Sequence, residues 1–220
     1  MKNLICFGTR PEWLKIKPLL KHIKDYTIFF TGQHDDLLKI ELNNYSDRIL
    51  ESKIHVKGKS RLNNIISSIL DSFPTDNFDS VLVQGDTASA FACALAGFNH
   101  GSKVIYLESG LRSFDLKHPF PEEGYRQMIS RLSDINLCPT GLSLNNLEKE
   151  NVPGKNYIVG NTVLDNLNEL KANAVYENLV LITLHRRENL PIINHWLDQI
   201  FNIALNNSHI NFKIIDLIKI

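Results

Sequence analysis

Apolar residues in this chain fall in short unbroken runs, separated by longer stretches in which they recur every three or four positions. The runs at 4–7, 27–31, 80–83, 103–107, 135–138, 157–159, 179–184 and 212–215 predict strands. Most are apolar throughout and do not alternate, which is the pattern of strands covered on both faces. The stretches at 11–23, 62–73, 87–100, 122–132, 142–150, 163–170 and 192–205 predict helices. Pro18 lies inside the first of them and predicts a kink there, because proline removes a helix donor and crowds the preceding turn. Strand–helix alternation of this kind predicts an α/β fold with a Rossmann-like, doubly wound, mainly parallel sheet. The first six strands make up a complete N-terminal domain over 1–171. Residues 172–220 supply about one strand–helix–strand unit, too little to bury a core of its own. The second domain is therefore expected to be incomplete.

Composition narrows the class. The 220 residues are 43% hydrophobic, enough for a sizeable core. Twenty-four Lys and Arg balance 24 Asp and Glu, which excludes a general nucleic-acid or membrane-surface binder and leaves only local anion sites. The three cysteines, Cys6, Cys93 and Cys138, are widely spaced and odd in number. That argues against a disulfide framework or a cysteine metal site, and fits a reducing, cytoplasmic compartment. The apolar start of the chain meets Arg10, Glu12 and Lys15 too soon for a signal peptide, and no run approaches a membrane span.

Candidate chemistry sits at the strand ends, where ligand crevices of such sheets lie. The first strand ends in Gly8-Thr9-Arg10-Pro11-Glu12. Gly8 permits close backbone approach, Thr9 can cap the following helix and Pro11 suits its first turn. Arg10 beside that helix start, with Lys15 one turn on, suits an anion, although an ordinary turn with solvated charges accounts for the same residues. The third clear strand ends in Gln84-Gly85-Asp86-Thr87, where Asp86 is expected to act as an N-cap. The next delivers Glu108-Ser109-Gly110-Leu111-Arg112, and a carboxylate partly desolvated at a strand end suits proton transfer. Then come Pro119-Phe120-Pro121-Glu122-Glu123 and Arg126, with Glu122 and Arg126 one helical turn apart and able to pair. Acidic residues in a first turn are also what the helix dipole favours without any catalytic role. Late in the chain His185-Arg186-Arg187-Glu188-Asn189 forms a second cationic cluster at a strand end. No G-x-G-x-x-G, Walker A loop, G-x-S-x-G or H-E-x-x-H is present, which weakens the dehydrogenase, P-loop, serine-hydrolase and zinc-enzyme readings.

Taken together and in order, these segments resemble a known motif series. Gly8-Thr9-Arg10-Pro11-Glu12, Thr31-Gly32-Gln33-His34, Gly85-Asp86-Thr87, Glu108 to Arg112, Pro121-Glu122-Glu123, Gly160-Asn161-Thr162-Val163-Leu164-Asp165 and His185 to Asn189 are similar to those of the non-hydrolysing UDP-N-acetylglucosamine 2-epimerases. The resemblance implies a GT-B-like two-domain architecture and interconversion of UDP-GlcNAc and UDP-ManNAc by elimination and re-addition of UDP. It implies no nicotinamide cofactor and no essential metal. Asp86, Glu108 and Glu122 are then the acid/base and charge-stabilising carboxylates, with their assignment to the two faces of C2 left open. His185 joins this catalytic set by holding the diphosphate with Arg10 and Lys15, and Arg126 orients Glu122. Gln33 and His34 match positions that help bind a second, activating UDP-GlcNAc. The implied partners are a UDP-sugar and either a second copy of the chain or a chain supplying the missing half-domain. No nucleic acid and no membrane insertion is implied.

Several positions depart from the family pattern. Tyr106 and Ser109 flank the strand-end glutamate where a histidine and an alanine are common, and Tyr125 replaces a usual asparagine. Both tyrosines are expected near the sugar. The family's second domain continues well beyond Ile220 with a Ser/Gly-rich phosphate loop and a glutamate for the uridine ribose, so a frameshift or premature stop is expected. The competing readings are an active epimerase, an inactive remnant, a hydrolysing epimerase releasing ManNAc and UDP, and a glycosyltransferase on the same scaffold.

Overall fold

The computed structural model of the chain describes residues 1–33, 42–52, 60–169, 177–183 and 191–215. The backbone divides into two compact units, Met1–Leu170 and Lys171–Ile220. The first is built on a seven-stranded sheet: β1 (Asn3–Phe7), β2 (Tyr26–Phe30), β3 (Ile49–Glu51), β4 (Ser80–Gln84), β5 (Lys103–Leu107), β6 (Ile135–Cys138) and β7 (Lys155–Ile158). Their spatial order is β3-β2-β1-β4-β5-β6-β7, and every pairing is parallel. The α/β, Rossmann-like, doubly wound sheet expected from the hydrophobic runs is thus present. The chain reverses its direction of travel across the sheet between β1 and β4, so the ligand crevice of such a fold lies beyond their carboxyl ends.

Strand side chains alternate between two apolar layers, which explains the unbroken runs. Leu4 and Cys6 of β1 face one cluster with Val81 and Val83 of β4, whereas Ile5 and Phe7 face another with Trp13, Ile16 and Phe30. Helices α1 (Arg10–Ile16), α2 (Arg61–Ser72), α3 (Ala88–Asn99), α4 (Glu122–Leu132) and α5 (Gly141–Lys149) connect these strands. The small residues of α3 let it lie close to the sheet: a Cβ on Gly97 would come within 2.8 Å of the Val81 side chain.

Three local features differ from the hydrophobic pattern. The first helix stops at Ile16 and continues as a 3₁₀ turn over Lys17–Lys21, with Pro18 in its first positions, so the proline tightens the helix where a kink was expected. β3 carries no run of its own; three residues at a sheet edge are too few to register as a strand pattern. The 163–170 helix pattern is realised as 3₁₀ turns over Thr162–Glu169.

The second unit contains β8 (Leu179–Thr183), α6 (Ile193–Asn206) and β9 (Asn211–Ile215), with β8 and β9 paired in parallel. None of its described residues is buried, and apolar side chains such as Leu181 and Phe201 stand 55% and 63% exposed. Two strands and one helix cannot cover both faces of their own sheet. No helix among the described residues is long and apolar enough to cross a membrane.

Candidate active site

The chemistry-bearing residues of the first unit gather where β1, β4 and β5 end. A Cβ on Gly8 would lie 2.3 Å from Thr31 Oγ1 and 2.4 Å from Ser89 Oγ, so only glycine lets the β1–α1 turn pass there. Glu12, 2% exposed, folds back over this turn. Its Oε2 accepts from the Gly8 and Thr9 amides at 2.7 and 2.8 Å, and its Oε1 accepts from Thr87 Oγ1 at 2.5 Å. Thr87 in turn caps α3, its Oγ1 accepting from the Ala90 amide. One buried carboxylate therefore ties together the two loops at the switch point. Two expectations change. Thr87, not Asp86, is the N-cap, and the amides that the sequence offers to an anion already donate to the chain's own Glu12 side chain.

Burial pushes the Glu12 carboxyl above its ordinary value, against the lowering effect of the hydrogen bonds from Thr87, Gly8 and Thr9. The folded chain thus holds this proton more tightly than the unfolded one. The group's stabilisation is full below the ordinary carboxylate value and is lost as pH rises through the folded value. Glu12→Gln removes the titration while keeping the shape. Urea melts between about pH 4 and pH 8 are expected to show the parent losing stability relative to this variant as pH rises. A pH-independent difference would contradict the assignment.

Asp86 is held by Arg126, whose Nε donates to Oδ2 at 2.8 Å and whose Nη2 lies 2.6 Å from the same oxygen. Arg126 Nη1 also reaches Glu123 Oε2 at 3.4 Å. The expected Glu122–Arg126 pair does not form: Arg126 is drawn to Asp86 and Glu123, and Glu122 Oε2 is buried without a hydrogen-bond partner among the described residues. Glu123 is fully buried and accepts from the Ser113 and Phe114 amides at 3.0 and 3.4 Å and from Gln127 Nε2 at 2.9 Å. Burial opposes its charge, but these bonds and the Arg112 guanidinium outweigh it and hold the carboxyl below its ordinary value. Glu123 organises the loop that follows Arg112.

Glu108 follows β5 in a left-handed conformation, φ 67°, an uncommon backbone for a residue with a side chain. Lys15 Nζ donates to its Oε2 at 2.5 Å, and Gln84 Nε2 donates to the same oxygen. Lys15, expected on a diphosphate, is here the counter-ion of Glu108. The turn is pinned from behind: Ser109 Oγ donates to Asn136 Oδ1 at 2.7 Å, and Asn146 Nδ2 donates to the Gly110 carbonyl at 3.0 Å.

The remaining candidates divide. Arg10 is exposed, with no ion pair to another described residue. Gln33 Oε1 accepts from the Ser89 amide and hydroxyl at 3.3 and 2.7 Å. His34 and His185 lie outside the described residues. Tyr106 and Tyr125 are 1% and 7% exposed and belong to the core beneath the site, Tyr125 stacked on Phe91 with ring centroids 5.2 Å apart. Burial, then the Asp86 charge, pushes the Tyr106 hydroxyl up. Sequence reasoning missed Glu12, Gln84 and Glu123 as site residues. Only Glu12 carries a local signal, the Thr9-x-x-Glu12 capping-box spacing. Among the described residues no group of three or more His, Cys, Asp or Glu is placed to hold a metal ion.

The sequence model of the UDP-N-acetylglucosamine 2-epimerase family matches residues 19–214. The chain belongs to this family. It is 33% identical over 248 residues to the UDP-N-acetylglucosamine 2-epimerase of Salmonella borreze, covering 95% of this chain and 63% of that one. It is 35% identical over 216 residues to the enzyme of Neisseria meningitidis serogroup A, covering 86% and 58%. The solved structure of UDP-GlcNAc 2-epimerase from Neisseria meningitidis bound to UDP-GlcNAc superposes with a TM-score of 0.76 at 33% identity, over 97% of this chain and 65% of that one. The Rossmann-like, GT-B-type fold is thus shared with these epimerases, and the chain spans about three fifths of the length of the curated relatives it matches.

Proposed function

We propose that this chain carries the acid–base half of an epimerase acting at C2 of a UDP-N-acetylhexosamine, converting UDP-GlcNAc to UDP-ManNAc. The observation that carries the reading is the environment of Glu108: a carboxylate on a left-handed strand end, paired with Lys15 and placed at the switch-point crevice. Asp86, held by Arg126, and Glu122, with one buried oxygen unpartnered among the described residues, supply further carboxylates from neighbouring elements.

The C2 hydrogen is not beside a carbonyl and is not acidic by itself. One carboxylate takes it as the C1–O bond breaks; the bond pair leaves on the UDP oxygen and C1=C2 forms, giving 2-acetamidoglucal and UDP. A carboxylic acid on the opposite face then returns a proton to C2 while the UDP oxygen re-adds to C1. This requires acid/base groups on both faces and fixed cations for the leaving diphosphate. Arg10 and Lys15 serve the diphosphate in this reading, with Lys15 passing from Glu108 to the incoming anion. Gln33, whose carbonyl oxygen is engaged by Ser89, keeps its amide donor for a second UDP-GlcNAc. The substrate is a UDP-sugar and no cofactor is needed. The relatives' additional length is expected to contribute to binding the nucleotide.

A proton NMR time course with UDP-GlcNAc in D₂O tests the reading. Deuterium at C2 with UDP-ManNAc forming is the expected result. Free ManNAc with UDP would point to the hydrolysing outcome. No exchange from a folded sample would overturn catalysis by this chain.

A further inference from the structure

We infer that Gln84 is a positioning residue for Glu108: it ties down one carboxylate oxygen so that only the other can exchange a proton with a bound sugar. The inference rests on the proposed function for its chemistry, and on geometry for its structure. β4 and β5 are in register, with Gln84 opposite Leu107, so the last side chain of β4 lies beside the residue preceding Glu108. Gln84 Nε2 and Lys15 Nζ both donate to Glu108 Oε2. Oε1 accepts from none of the described residues, and the Glu108 side chain is 16% exposed. The backbone behind this carboxylate has little freedom. Gly110 sits at φ 85°, where a Cβ would come within 2.2 Å of the Ser143 carbonyl oxygen, and the Ser109 amide donates to the Leu137 carbonyl at 3.1 Å.

The two donors differ in what a ligand does to them. Lys15 is a cation on a flexible stem, which an arriving diphosphate competes for. Gln84 is neutral, buried and fixed to a strand, so it keeps its hold on Oε2 after the cation has moved. A carboxylate with one oxygen anchored and the other free presents a single direction for proton transfer, the preorganisation that positioned acid/base groups need.

Two measurements on the 220-residue chain test this. In ¹H–¹⁵N spectra, one Gln84 side-chain amide proton is expected well downfield of the free-amide range, returning to it in Glu108→Ala. A Gln84 signal already at the free-amide position, or one unmoved in Glu108→Ala, overturns the inference whatever the activity. In the C2 exchange assay, Gln84→Met, which keeps the volume and removes the donor, is expected to lower kcat about 10- to 100-fold, with KM and the melting temperature unchanged. An unchanged kcat, or a loss carried wholly by KM or by unfolding, also overturns it. If the parent chain shows no exchange, the proposed function fails, while the amide signal still decides whether Gln84 holds Glu108.

Discussion

Glu108→Gln is expected to lower C2 deuterium exchange about 10²- to 10⁴-fold for the epimer whose C2 hydrogen faces residue 108, the usual contribution of a positioned acid/base group. Glutamine keeps the length and planarity of the side chain and can still accept from Lys15 and Gln84 through its carbonyl oxygen, but it cannot take up a proton at neutral pH. The fold and the affinity for the UDP-sugar should therefore survive. Running the assay from both UDP-GlcNAc and UDP-ManNAc makes it sharper. Exchange lost from one epimer and kept from the other assigns Glu108 to one face of the ring and leaves the opposite face to Asp86 or Glu122. A fall of less than about tenfold from both epimers would remove Glu108 from the proton-transfer role.

The largest effect on stability is expected from Arg112→Ala. The Arg112 side chain is wholly buried, and its Nε and Nη2 donate to Glu150 Oε1 and Oε2 at 2.8 and 2.9 Å. Nη2 also donates to Ser130 Oγ at 2.7 Å and Nη1 to the Leu111 carbonyl at 2.9 Å. One guanidinium thus joins the turn after Glu108, α4 and the end of α5. Truncation strands the Glu150 carboxylate, leaves several acceptors unmet and opens a void. Removing one partner of a buried pair costs about 3–5 kcal/mol. Because Glu150 is 21% exposed and partly rehydrates, the lower end of that range is expected. For a unit of this size that is a fall in melting temperature of roughly 6–12 °C. Arg112→Lys should recover only part of the loss, since an ammonium cannot make the forked pair. A melting temperature within about 1 °C of the parent would show that the clamp adds nothing to stability.

The two variants probe residues of one segment, Glu108 to Arg112, whose members were not equally legible. Glu108 stands out in the sequence because a carboxylate ends an apolar run, and a strand end in an α/β sheet is where ligands bind. Nothing local marks Arg112 as buried rather than solvated. Its partner lies 38 residues away, at the end of a helix whose docking depends on the sheet.

By itself the sequence determined most of the element types, though not β3 or the 3₁₀ turns, together with the parallel doubly wound class. These follow from short-range physics: unbroken apolar runs for two-sided strands, three-to-four spacing for helices, and glycine, threonine and proline at turns. It also carried the Thr9-x-x-Glu12 spacing that folds the Glu12 carboxyl back onto its own turn. Only the tertiary structure decided how the charged groups pair. Arg126 is one helical turn from Glu122, yet it binds Asp86, 40 residues earlier, because strand order brings the end of β4 under α4. Lys15 and Glu108 are 93 residues apart and meet because β4, which separates β1 from β5, ends there in Gln84, which joins them on the same oxygen. Glu122 and Glu123 are adjacent, and a rotation of about 100° along the helix leaves one half-buried and makes the other a fully buried strut. Periodicity limits the fold to a class, whereas contacts between side chains of distant strands depend on register and rotation, which are settled only when the sheet and its helices pack.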